Sequence, residues 1–276
     1  MFDLLQQVFS YTFMVRAILV GLPIALCAAL LGISLVLKHY SMIGDGLSHV
    51  AFGTLAIALA LNVAPMQFSL PIVIITAILL LRLSENNKIK GDAAIALISS
   101  SALALGVLVV SLTTGMNTDI YSYLFGSILA VSESTVFFSL IISITVTILF
   151  FVFYNKIFAV TFDEPFAKAT GTKTSLYNML VAILTAVTIV IGIRIMGALL
   201  ISSLIIFPAL TSMRVCISFR MVVIVSAIIS VCCFLIGILL SFFYSTPTGA
   251  SIVLVNLAAF LLFSLIGSFK NRTRPV

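Results

Sequence analysis

Charged residues are scarce in this chain, and that scarcity decides its class. Asp, Glu, Lys and Arg make up 8% of the 276 residues, whereas a soluble domain carries about 25%. Several segments lack any charged residue over the roughly 20 positions that a membrane-spanning helix needs; examples are 17–37, 93–118, 134–155 and 174–193. The composition excludes an ordinary soluble domain and indicates a polytopic membrane protein.

The apolar runs also lack a regular alternation of polar and apolar residues. Their continuous apolar character predicts helices and excludes the strands of a membrane barrel. We therefore predict an all-α fold with about eight to nine transmembrane helices in a single domain, residues 1–276. The predicted spans are 13–37, 42–61, 66–81, 92–112, 134–154, 176–191, 197–213, 221–243 and 249–268.

The few cations lie in short segments between these spans. The groups at Lys38, 82–90, 156–173, 214–220 and 270–274 can all be cytoplasmic at once, which is the positive-inside pattern. This topology needs nine crossings, with the N-terminus outside and the C-terminus inside the cell membrane. Eight crossings remain open if the break near residues 192–197 lies within the membrane. The net charge of +6 thus follows from topology and does not indicate a nucleic-acid partner.

Several motifs of other chemistries are missing. The four cysteines form no CxxC pair, so we expect small apolar side chains and neither a disulfide nor a metal site. The chain has no GxxxxGK[ST] loop, no nucleophile elbow and no HExxH motif. It is therefore not expected to bind ATP through a P-loop or to act as an enzyme.

An acid and a histidine stand four residues apart at the start of the second span. In a helix, Asp45 and His49 lie on one face. A carboxylate and an imidazole suit Zn²⁺ or Mn²⁺, but two ligands do not complete a site, so other spans, water or a symmetry mate must supply the rest. Ser48 is a candidate hydrogen-bond partner for these ligands. The alternative is a structural pair at the mouth of the span.

Two further segments carry a local signal. In 156–171, Asp163 suits a helix N-cap, Glu164 and Pro165 suit the first turn, and Gly171 suits the end. This predicts a short cytoplasmic helix, either docking a soluble partner or lying on the membrane surface.

The second segment breaks an apolar run. Gly192 and Gly197, followed by Pro208, are candidate helix breaks or gating positions that line a cavity. A turn followed by an ordinary proline kink is the alternative. Asp119 and Glu133 are expected to be solvated acids outside the membrane, and His39 an ordinary boundary residue.

Six blocks of the sequence resemble the metal-ion ABC-3 permeases, the membrane subunits of ATP-binding cassette importers for zinc, manganese or iron. The stretch that ends at His49 is similar to the family's MGDALSH signature. The other similar blocks are 91–106, 119–129, 162–171, 196–208 and 247–251. At Ser127 many members carry an acid after Phe-Gly, so a metal role is not carried over to that position.

The resemblance implies a type II importer-like permease that works as a homodimer. It implies two separate cytoplasmic ATPase subunits, an extracellular metal-binding protein that delivers the ion, and no ATP hydrolysis by this chain. It assigns Asp45 and His49 to a transported ion that is not permanently bound. It assigns docking of the ATPase to a set of residues within 162–171, namely Phe162, Asp163, Glu164, Pro165, Phe166, Ala167, Lys168 and Gly171.

Two other functions remain open from the sequence. A permease for a larger metal chelate, such as a siderophore or cobalamin, fits the fold but not the ion-sized ligand pair. An ATP-independent channel or carrier would leave the 162–171 segment without a partner. The sequence does not distinguish zinc from manganese or iron, since the ligand types suit all three.

Overall fold

The computed structural model describes residues 10–85, 91–113, 126 and 133–272, and all regular secondary structure in these ranges is helical. Nine of the helices in these ranges are long and apolar enough to cross a membrane, which confirms the predicted all-α polytopic fold. In chain order the helices are α1 (Thr12–Leu37), α2 (Met42–Ala60), α3 (Pro65–Glu85), α4 (Gly91–Leu112), α5 (Glu133–Val152), α6 (Tyr154–Phe162), α7 (Glu164–Ala169), α8 (Thr174–Met196), α9 (Ala198–Val215), α10 (Phe219–Tyr244) and α11 (Thr248–Arg272).

Three helices form the centre of the bundle. Most residues of α1, α2 and α8 are buried, whereas only about a fifth of the residues of α4, α5 and α11 are buried. Leu112, Phe137 and Leu262 are examples of such exposed side chains. An apolar surface of this kind is expected where helices meet lipid, since lipid chains solvate apolar side chains as well as a protein core does. The central helix α2 carries the predicted ligand pair.

A tight corner joins α1 to α2. The Tyr40 amide donates to the Leu35 carbonyl at 2.7 Å, and the His39 amide donates to the Val36 carbonyl at 3.1 Å. His39 has a φ of +60°. These two bonds around a left-handed residue form a Schellman motif, which ends α1 and satisfies its last carbonyls. His39, predicted as an ordinary boundary residue, is thus the turning residue, and Lys38 precedes it directly.

The described parts of the cationic segments predicted for one side of the membrane lie together at one end of the bundle. Lys38 pairs with Glu164 at 2.9 Å and shares a cavity wall with Leu81, close to the start of the 82–90 group. Arg220 lines a cavity with Tyr154 and Asn155. Gly267 packs against the Arg214 backbone. The contacts agree with the predicted grouping, while the cytoplasmic assignment of that end remains a prediction.

One predicted helix break is wrong. Gly192 lies inside α8, which continues to Met196. The missing side chain at Gly192 makes room for Ile201 of α9. The break is confined to Gly197, whose φ of +83° favours glycine. The helix α8 continues five residues beyond the end of the predicted span 176–191. The turn at Gly197 is buried.

The opposite end of the bundle holds an ion pair between the starts of α1 and α5. Arg16 donates to the Glu133 carboxylate, and 83% of the Glu133 side chain is exposed. Glu133 was expected to be a solvated acid. It is exposed, but it also forms an ion pair with Arg16. Asp119, Ser127 and most of the resembling block 119–129 lie outside the described residues.

Two serines on α10 allow a matched test of polar packing between helices. The buried Ser230 hydroxyl donates to the Ala25 carbonyl of α1 at 2.9 Å. The Ser226 hydroxyl, one turn earlier, is buried and has no hydrogen-bond partner in the described part of the chain. We expect Ser230→Ala to destabilise the protein by about 0.6–1.7 kcal/mol and Ser226→Ala to leave stability unchanged or raise it. Thermal unfolding in detergent measures the stability of both variants. Equal losses of stability would contradict the hydrogen bond from Ser230 to Ala25.

Candidate metal site

The predicted ligand pair lies near the start of α2. Asp45 and His49 project from the same helix face, with 3.6 Å between Asp45 Oδ2 and His49 Nε2. The side chains are 40% and 22% exposed, respectively. Asp45 belongs to the first turn of α2, where the positive end of the helix dipole favours a carboxylate. The structure thus brings together both residues that the sequence assigns to the metal.

The distance between the two side chains fits a shared ion. A hydrogen bond between nitrogen and oxygen spans about 2.7–3.2 Å, so the 3.6 Å separation is too long for a good one. Two ligands bound at about 2.1 Å in a tetrahedral zinc site stand about 3.4 Å apart. Only a small side-chain adjustment would therefore let Asp45 and His49 bind the same ion.

Close helix packing surrounds the pair. A side chain at Gly44 would lie 3.0 Å from the Ile205 side chain of α9, and one at Gly46 would lie 2.7 Å from Ile95 of α4. The glycines on either side of Asp45 therefore allow α2 to lie against both neighbours. Asp45 itself stays partly exposed, so the packing leaves part of its side chain accessible.

Ser48 is completely buried, and its contacts differ from the expected ones. Its hydroxyl donates to the Gly44 carbonyl at 2.9 Å and lies 3.3 Å from the Ser202 hydroxyl of α9. Ser202 is also within interaction range of the Asp45 carboxylate. Ser48 is thus connected to the ligand pair through Ser202.

Ser202 is a site residue that the sequence reasoning missed. It sits in the apolar run of the 196–208 block, and its spacing carries no signal of its own. Only the packing of α9 against α2 brings it to Asp45.

One chain does not complete the site. Within the described ranges, no group of three or more His, Cys, Asp or Glu side chains could hold a metal ion. All four cysteines are free, and Cys27 and Cys233 are buried, in keeping with their expected role as small packing residues. The buried His49 Nδ1 has no hydrogen-bond partner among the described residues. A ligand histidine usually donates from its second nitrogen, so the single chain leaves the imidazole incompletely fixed.

The segment predicted to dock a partner forms α7. Asp163 caps it by accepting the Phe166 amide at 2.9 Å, and Pro165 lies in its first turn. Gly171 follows with a φ of +82°. Phe166 is 65% exposed, and Phe162 at the end of α6 is 58% exposed. An exposed aromatic pair beside a short capped helix is a typical contact surface for a protein partner.

Other residues of α7 differ in how exposed they are. Ala167 is buried against the bundle, and Lys168 is exposed. The segment thus has one face packed and one face open.

Pro208, the other candidate gating residue, is buried within α9. Proline removes one backbone hydrogen bond from a helix, and the helix continues through it to Val215. The helix α9, which contacts α2 next to Asp45, thus has two irregular positions: the turn at Gly197 that precedes it and the proline within it.

Comparison with known proteins identifies relatives along almost the whole chain. A family model described as the ABC 3 transport family matches residues 10–267. The high-affinity zinc uptake system membrane protein ZnuB of Haemophilus influenzae is 31% identical, covering 89% of this chain and 94% of that protein. The manganese import system permease protein ScaB of Streptococcus gordonii is 26% identical, covering 94% of this chain and 93% of that protein.

A solved structure agrees with these sequence matches. PsaBC from Streptococcus pneumoniae, in complex with Fab, superposes with a TM-score of 0.84 at 25% sequence identity. The match covers 95% of this chain and 94% of that chain.

Proposed function

The chain belongs to the ABC 3 transport family as a metal-ion ABC transporter permease, and from this premise we propose that it imports zinc or manganese along a path lined by Asp45 and His49. The observation that carries this proposal is the 3.6 Å separation of the carboxylate and imidazole on α2. Both atoms are ligands that Zn²⁺ and Mn²⁺ accept. The relatives named for zinc, for manganese and for iron are similarly distant, so the proposal keeps zinc and manganese and extends to iron.

We propose that the site is completed by a second copy of the chain. Two-fold symmetry would bring two Asp45 and two His49 side chains to one ion, giving the four ligands that zinc usually takes. The partial exposure of both side chains in the single chain supports this. A site divided between two copies opens when the copies move apart, and an ion on a path must be able to leave.

We propose that α7 and the exposed Phe162 and Phe166 receive a cytoplasmic ATPase subunit. This chain lacks a P-loop, so in an ATP-driven importer such a partner would hydrolyse the ATP. An extracellular metal-binding protein delivers the ion from the other side. The topology that goes with this has the N-terminus outside and the C-terminus in the cytoplasm, as the cation distribution predicts.

The complex of this chain with its ATPase, reconstituted in liposomes, tests the proposed function. We expect Zn²⁺ or Mn²⁺ to move only when ATP is supplied at the ATPase side and the delivering protein at the other. A hydrolysis-deficient ATPase should abolish movement. Metal flux without the ATPase would instead identify a channel or carrier. Flux of a metal chelate, with no flux of the free ion, would identify a chelate permease.

A further inference from the structure

Three polar side chains form a closed network at the end of the bundle that holds α7. Lys38 donates to Glu164 Oε2 at 2.9 Å and to Asn178 Oδ1. Asn178 donates to Glu164 Oε1 at 2.9 Å. Each member contacts the other two, and both carboxylate oxygens are used. We call Lys38, Glu164 and Asn178 the polar triad.

The polar triad joins three separate elements. Lys38 is the C-cap of α1, Glu164 is the first residue of α7, and Asn178 lies in the first turns of α8. Asn178 is buried, the Lys38 side chain is 14% exposed, and the Glu164 side chain is 40% exposed. Partial burial screens the ion pair less than full exposure would, and Asn178 adds a hydrogen bond to each charged partner.

The Lys38 end of the polar triad is fixed to the helix that carries the ligand pair. Lys38 is followed at once by the Schellman turn at His39 and Tyr40, and α2 begins at Met42. The Ile43 amide donates back to the Tyr40 carbonyl at 3.0 Å. No long linker separates Lys38 from α2, and hydrogen bonds hold the residues between them. We therefore expect displacement of Lys38 to displace the start of α2 and, with it, Asp45.

The other connections of α7 are less direct. Its chain link to α8 passes through Gly171, where φ is +82° and open space surrounds the residue. Its backbone makes its more extensive contacts with α6 and α8. The Glu164 carboxylate, by contrast, ties α7 directly to the α1–α2 corner through Lys38.

We propose that the polar triad is the link through which movement of α7 reaches α2, so that Lys38 and Asn178 are positioning residues for metal release. The inference rests on the proposed function, in which an ATPase moves α7. In this proposal, the movement of α7 reaches the ligand pair through a path of hydrogen-bonded side chains. When α7 shifts, the paired Glu164 draws Lys38 and the α1–α2 corner with it.

The test measures metal moved per ATP hydrolysed by the reconstituted complex. Lys38→Met and Asn178→Leu keep side-chain bulk and remove the polar contacts. We expect ATP hydrolysis and assembly within about twofold of the wild type, with metal moved per ATP lowered about tenfold, as for residues on a coupling path. Lys173→Met is the matched control, since Lys173 is an exposed lysine at the same end and makes no side-chain capping bond. Its ratio should be unchanged.

A charge exchange separates coupling from folding. In the double variant Lys38→Glu with Glu164→Lys, the Asn178 amide can turn to donate and accept as before, because it carries both functions. We expect this variant to recover most of the metal moved per ATP that Lys38→Glu alone loses. An assembled double variant that hydrolyses ATP without recovering transport would overturn the inference.

The outcomes also distinguish this inference from the proposed function. If the wild type moves no metal with ATP, the proposed function itself fails. If the wild type moves metal and Lys38→Met and Asn178→Leu both keep the wild-type ratio, only the role of the polar triad fails. Where a single variant does not assemble, the result of the charge exchange decides.

Discussion

Asp45→Asn and His49→Gln are each expected to lower the initial rate of metal uptake by more than about a hundredfold, since even residues that only support a ligand cost about 10–100-fold. Each substitution keeps the size of the side chain and removes a metal-binding atom or its charge. Asp45 and His49 are partly exposed, so neither change leaves a cavity in the core. The permease should therefore assemble with its ATPase as the wild type does. Uptake of Zn²⁺ and Mn²⁺ by cells that lack other importers measures the loss.

Each ligand variant has a matched control in the same chain. Asp92→Asn removes another first-turn acid, at the start of α4, and should leave uptake unchanged. His39→Asn removes the other histidine, and asparagine tolerates the left-handed conformation found there. Normal uptake by both ligand variants, at normal amounts of assembled protein, would refute the assignment of Asp45 and His49.

Gly32→Ala is expected to remove most folded permease. A Cβ atom at this position of α1 would lie 1.9 Å from the Ile205 carbonyl oxygen of α9. The obstacle is backbone, so no rotamer change relieves it, and α1 must separate from α9. Overpacking of a core commonly costs about 1–3 kcal/mol and occasionally more, and a backbone clash belongs to the upper end. The yield of monodisperse protein in detergent, with its thermal midpoint, measures the effect.

Gly171→Ala is the control for this substitution. Nothing lies within 4 Å of a Cβ placed there, and only the φ of +82° opposes a side chain. The cost should be about 1–2 kcal/mol, confined to the turn after α7, with the transmembrane core intact. Equal losses of folded protein from Gly32→Ala and Gly171→Ala would contradict the helix contact at Ile205.

The membrane spans were predictable because their signal is local. An apolar run of about 20 residues with few charges identifies a span whatever its neighbours are, and nine helices long and apolar enough to cross a membrane are present in the described ranges. Breaks within a run are harder to predict, because a glycine marks either a turn or a close approach. Gly192 was assigned to a break and proved to be a packing position against Ile201, whereas Gly197 is the true turn. The two differ only in their tertiary surroundings.

The candidate site was predictable in part for the same reason. Asp45 and His49 belong to one helix, so their spacing alone places them on one face. Ser202 and the polar triad depend on contacts between residues far apart in the chain. Lys38 and Asn178, for example, are separated by 140 positions. No period or motif in one sequence encodes such a pair, and the contacts appear only when the helices are packed.

We propose that Asp45 and His49 of two copies hold one ion. Equilibrium dialysis of the purified, tag-free complex against Zn²⁺ or Mn²⁺, followed by metal analysis, tests it most directly. We predict one ion at this site for every two permease chains in the wild type, and its loss in both Asp45→Asn and His49→Gln. Binding of the same amount of metal, with the same affinity, by the wild type and both variants would contradict the claim.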